Sequence, residues 1–220
     1  MISSPPSSGS IGEVVARHDP AAHAASYSRR QDEELPFDPT APPPDRPVML
    51  DTSFYIDRLK RKLPPAIVEF VAARSLKHSA VACGELAVSL GILTPAHPTM
   101  PLYRDPILGL LDAIDMVDTI APSSRAWAEA GVIAGILART QHLNRSRREL
   151  GEAEACCQRG KRRKLLNDAL VFLSAIEVEA VLVSANVHDM DLLLRMKPEA
   201  QVLLYRPIEG RPDSMAEPQG

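Results

Sequence analysis

Short apolar runs alternate along this chain with longer segments whose apolar residues recur at helical spacing. Val48-Met49-Leu50, preceded by Pro47, is the first run, and it closes on Asp51-Thr52-Ser53. His78 to Ala82, Met116 to Ile120, Ala180 to Val183 and Gln201 to Leu204 are the other runs of strand length. Helical patterns fill the intervals. One follows Ser53, breaks at Pro64-Pro65 and resumes from Ala66 to Arg74. Gly84-Glu85-Leu86-Ala87 opens the next, and another carries Ile107, Leu110, Leu111 and Ile114. After Pro122-Ser123-Ser124, where serine suits an N-cap, Trp127 to Thr140 is strongly amphipathic. Strands alternating with helices in this way predict an α/β three-layer sandwich around a mostly parallel central sheet.

One position breaks the pattern. In the stretch LLNDALVFLSAIEVEAVLVSANVHDMD, residues 165–191, helical spacing aligns Leu165, Asp168, Phe172, Ala175 and Ile176 on one face. All are apolar except Asp168. Burying a carboxylate costs several kcal/mol unless it is paired or holds a metal ion, as a rough guide. The strand that follows ends at Ser184, Asn186 and Asp189, and the C-terminal end of a strand is where open α/β sheets bind ligands.

The flanks read differently. Residues 1–46 are rich in Ser, Pro and Ala and end in FDPTAPPPDRP, which predicts a disordered tail; 208–220 read as a second one. Between them, 47–207 form a single domain. Hydrophobic residues make up 45% of the chain, enough for a core, and aromatics only 4%, so Leu, Val, Ile and Ala build it. A net charge of -3 excludes a global attraction to nucleic acid and leaves only local ones. No signal-peptide pattern and no apolar run of membrane-spanning length occur, which points to a cytoplasmic protein with no membrane association. The three cysteines cannot form a disulfide framework, and Cys156-Cys157 reads as two thiols in a reducing compartment.

Four acids fall where strand ends and helix starts meet: Asp51, Glu85, Asp168 and Asp189. Each alone has a structural reading, as a helix cap or a first-turn acid favoured by the helix dipole. Gathered at one sheet edge they would repel one another, and a hard divalent cation such as Mg²⁺ or Mn²⁺ relieves that repulsion through oxygen ligands. Thiolates and imidazoles are missing from the set, which disfavours zinc. Cations held this way activate water and steady a phosphodiester during in-line displacement.

With VMLDTS at the first strand, the acid in CGELA, then NDALVFLSA and SANVHDMD, the segment from about Val48 to Arg206 resembles a PIN domain, the nuclease fold of VapC-type toxins in toxin–antitoxin systems. The resemblance implies a metal-dependent endoribonuclease with Asp51, Glu85, Asp168 and Asp189 as its metal-holding acids. Ser53 and Ser184 match hydroxyl positions that orient water, metal or backbone, and Asn186 matches the polar residue before the last acid. Ser184 stands where Thr is common and Met190 where Phe often follows the acid. The resemblance further implies an antitoxin partner and a homodimer. A phosphatase of the haloacid dehalogenase type would need a second Asp where Ser53 stands, and a receiver domain would need an early acidic pair and a late Lys. A catalytically silent PIN-like protein that binds RNA or a partner is the remaining alternative.

The run Arg159-Gly160-Lys161-Arg162-Arg163-Lys164 directly precedes the helix of Asp168 and could clamp RNA phosphates, or simply be a solvated surface. No aromatic residue is interleaved with it, so base stacking is not indicated there.

Overall fold

A computed structural model describes residues 10–18, 20–23, 27–93, 100–146 and 161–209. Among these residues five strands form one sheet: β1 (Val48–Leu50), β2 (Leu76–Ser79), β3 (Thr119–Ile120), β4 (Val181–Ser184) and β5 (Val202–Leu204). Their order is β3-β2-β1-β4-β5, and every neighbouring pair is parallel. The fold is therefore the α/β/α class that the alternating pattern predicts. β1, β4 and β5 are buried throughout, as expected of strands covered on both faces.

The helices among the described residues are α1 (Ile11–Ala16), α2 (Thr52–Leu59), α3 (Pro65–Ala72), α4 (Ala80–Gly91), α5 (Met100–Asp112), α6 (Ser124–Ser146), α7 (Lys161–Glu177) and α8 (Val187–Met196). Right-handed crossovers carry the chain from β1 through β2 to β3 with α2 to α5 on one face. The chain then returns across the sheet to β4, so α6, α7 and α8 lie on the other, where α6 and α7 pack along each other. None of these helices is long and apolar enough to cross a membrane.

Three boundaries differ from expectation. The strand expected over His78 to Ala82 ends at Ser79, because the Ser79 hydroxyl accepts from the backbone N–H groups of Val81 (3.2 Å) and Ala82 (3.4 Å) and starts α4 there. Glu85 thus sits in the second turn of its helix. α7 begins at Lys161, so Asp168 lies two turns in. Most of the run Met116 to Ile120 is a 3₁₀ turn capped by Asp115, leaving a two-residue strand.

The segment before Pro47 is not a loose tail where the structure describes it. Val14 is buried, and His18 bonds Glu129 at 2.8 Å on α6. Arg30 donates from Nε (2.6 Å) and from its backbone N–H (3.2 Å) to the buried carboxylate of Asp191 in α8. Arg206 clasps Asp32, and the N–H of Leu204 donates to Pro36 O at 2.8 Å, covering part of the β5 edge. These anchors are single residues spaced without any period, and a low-complexity composition hides them. Arg30→Ala removes the 2.6 Å guanidinium bond and leaves the buried Asp191 with the backbone N–H of residue 30 and the longer Arg195 contact of 3.6 Å; chemical denaturation should show a loss of about 2 kcal/mol. A trailing segment would show none.

Candidate metal and phosphodiester site

The strand order places a switch point between β1 and β4: the chain leaves β1 toward β2 on one side and leaves β4 toward β5 on the other. Crevices at the C-terminal ends of such strands are ligand sites. Asp51 follows β1 directly and Ser184 ends β4, so backbone topology alone brings them together. Asp51 occupies the N-cap position of α2 yet makes no capping hydrogen bond with its side chain. Its Oδ2 instead accepts from Ser53 Oγ at 2.6 Å and Ser184 Oγ at 2.7 Å. Both hydroxyls in turn accept from backbone, Ser53 from Ala185 N–H (3.0 Å) and Ser184 from Asn186 N–H (2.9 Å). The two serines therefore lock the β1 and β4 ends to one carboxylate, with Asn186 supplying the N-cap position of α8.

Asp168 comes in from α7. It is buried at 7% exposure, and its Oδ2 has no hydrogen-bond partner among the described residues. Burial first, then the charges of Asp51 and Asp189, push its pKa up to about 8, against the opposing pull of Lys164. Burial also raises Asp51, although the two serine hydroxyls oppose it. Asp189, in the first turn of α8, goes the other way. Burial works against its charge, but the hydrogen bond and charge of Lys164 and the Asn186 side chain hold its pKa below the usual carboxylate value. Lys164 Nζ lies 2.5 Å from Asp189 Oδ2, and the surrounding Asp189, Asp168 and Asp51 outweigh burial to keep the ammonium charged.

Glu85 closes the set from α4. Thr52 Oγ1 donates to its Oε2, and Asn167 Nδ2 donates to its Oε1 at 2.8 Å. Its charge reaches both Asp51 and Asp168. All four acids thus share one electrostatic environment. Thr52 and Asn167 were missed in the sequence; Asn167 stands one residue before Asp168, but nothing in the sequence shows that it reaches α4.

In the basic run, Arg159 lies outside the described residues, and Lys161 and Arg162 have only their backbone described, at the start of α7. Arg163 is exposed and forms no ion pair with a described residue. Lys164, read from the sequence as a phosphate clamp, is engaged with Asp189.

In its chemistry the donor set fits a hard divalent cation: all-oxygen groups, burial and neighbouring acids that together push Asp168 up to about 8, and one buried carboxylate oxygen without a partner among the described residues. The side chains are not arranged as a ligand set. Among the described residues no three His, Cys, Asp or Glu groups stand in a position to hold one ion. Lys164 and the hydroxyls take the oxygens instead.

No protein-family model matches the chain, and no curated protein matches it. Solved structures to which the chain is similar include a chain of VapBC2 from Rickettsia felis, crystallised bound to a DNA fragment from the promoter, with a TM-score of 0.44 and 15% identity over 72% of this chain and 98% of that one. A chain of VapBC-1 from nontypeable Haemophilus influenzae gives a TM-score of 0.43 and 19% identity over 71% of this chain and 96% of the other.

Because the native Asp168 keeps a proton that the unfolded chain releases above the ordinary carboxylate range, metal-free stability falls as pH rises toward 8. Asp168→Asn should therefore melt higher than the parent in EDTA at pH 8, by about 2–4 °C per kcal/mol of repulsion removed. The difference should close by pH 5, and thermal melts at the two pH values measure it.

Proposed function

We propose that the chain is a Mg²⁺- or Mn²⁺-dependent endoribonuclease that hydrolyses RNA phosphodiester bonds, acting as the toxin of a toxin–antitoxin pair. The observation that supports it most is the buried oxygen of Asp168, without a partner among the described residues, close to the charges of Asp51 and Asp189 at the switch point of a parallel sheet. A structural acid would be satisfied by its neighbours, whereas this one is destabilised by them. The toxin role, the antitoxin partner and the homodimer rest on the resemblance of VMLDTS, CGELA, NDALVFLSA and SANVHDMD to the PIN family.

In this reading Asp51, Asp168, Asp189 and Glu85 hold the cation. The bound ion supplies positive charge for the phosphodiester and a more acidic water. Ser53 and Ser184 fix the Asp51 carboxylate so that it needs no reorganisation. Thr52 and Asn167 do the same for Glu85 from opposite sides. Lys164 balances Asp189 before the acids are engaged, then stands at the same edge as a cation for the backbone phosphate.

A second reading is favoured by the seating of Lys164 on Asp189, which neutralises one acid without any metal. The chain would then be a silent PIN-like module that binds RNA or a protein partner. RNA cleavage separates the two. The enzyme should cut single-stranded RNA in Mn²⁺, stop in EDTA, and lose more than about 100-fold in kcat/KM on Asp168→Asn, beyond the usual loss for an outer-shell change. A folded parent that binds RNA and never cuts it would establish the silent module.

A further inference from the structure

Beside the acids, an open groove of about 660 Å³ runs between α4, the connection from β3 to α6, and α7. Its size is that of a small-ligand site. Glu85 and Asn167 line it where it meets the acid cluster, Arg163 lines it from α7, and Trp127 lines it from α6. Trp127 is half exposed at the start of α6, the only tryptophan in the chain. An indole of that exposure beside a guanidinium and an acid site is not ordinary core packing.

The α4 side of the groove carries Gly84 and Val88 one helical turn apart. A Cβ at Gly84 would meet nothing within 4 Å, so neither packing nor a close helix approach requires glycine there. Glycine inside a helix is less stable than alanine by about 0.5–1 kcal/mol. What its missing side chain leaves is room.

We propose that this groove seats one unpaired nucleobase of the RNA, stacked on Trp127, with the adjoining backbone phosphate on Arg163 and the next phosphodiester at the acids. The inference deepens the ribonuclease reading and rests on it for the identity of the ligand. A stacking surface, a cation for the backbone and direct continuity with the acids are the three elements of a single-strand path. The apolar side chains of Val81, Val88, Trp127 and Leu170 on its walls suit the face of a base, with Arg163 at hand for the phosphate. Arg163 alone could not distinguish RNA from other anions; the aromatic wall makes that distinction. The basic run carries no aromatic of its own, and the fold supplies one from a helix far away in sequence.

Because Trp127 is the single tryptophan, intrinsic emission reports on this groove alone. Full-length Asp168→Asn protein in Mg²⁺ should show saturable quenching with a short single-stranded RNA of mixed sequence, and no quenching with an RNA duplex. In the same background, Gly84→Leu should weaken binding of labelled RNA by about tenfold or more, the loss of one base–aromatic stack, with no fall in Tm. Trp127→Ala should do likewise by anisotropy, and Trp127→Phe should restore most of the affinity. RNA binding that leaves Trp127 emission unmoved and Gly84→Leu unaffected overturns the base site, even if the parent cuts RNA. Emission that shifts with protein concentration alone overturns it in favour of a second copy in the groove. Quenching by RNA in a parent that never cuts supports the base site while removing the nuclease.

Discussion

At the centre of this protein is an electrostatic repulsion that the fold creates and only partly relieves. Two parallel strands end side by side, and each delivers an acid to the same crevice: β1 gives Asp51 and β4 leads to Asp189. α7 then lays Asp168 across them with almost no solvent to screen it. Hydroxyls answer Asp51 and an ammonium answers Asp189, but one oxygen of Asp168 is left over. Such an arrangement costs stability in any protein that does not use it. Much of the surrounding structure is there to hold it. Serines tie two strand ends to one carboxylate, and Asn167 bridges α7 to α4 through Glu85.

The return of the chain across the sheet makes this possible. Had β4 paired beyond β3, Asp51 and Ser184 would stand at opposite ends of the edge. Because β4 pairs with β1, the crossover also brings α6 and α7 over the same face, and the start of α6 puts Trp127 on the groove that Arg163 and Glu85 also line. The acid cluster and the groove are consequences of one topological step.

The strands and the odd carboxylate were legible in the sequence because both are local signals. Runs such as Val48-Met49-Leu50 and Ala180 to Val183 mark strands that the structure places within a residue or so, and Asp168 stands out against a helical period. Strand order is non-local, so the sequence could place four acids at strand ends without showing which stand together. Lys164 illustrates the same limit: a lysine in a basic run looks solvated, and only the packing of α7 against α8 reveals that it answers Asp189. The described residues before Pro47 were misread for a different reason. Their composition is that of a disordered chain, yet Val14 is buried, and His18, Arg30 and Asp32 each find a specific partner on a surface that exists only once the domain has folded.

The central claim is that the acids at the β1–β4 edge form a cation site now balanced by Lys164. Crystals grown in Mn²⁺, with the ion located by its anomalous scattering, test it most directly. The account predicts a peak within bonding distance of Asp168 Oδ2, shared with Asp51 or Asp189, and Lys164 withdrawn from Asp189. A fully occupied Lys164–Asp189 pair at saturating Mn²⁺, with no anomalous peak at the sheet edge, would contradict it.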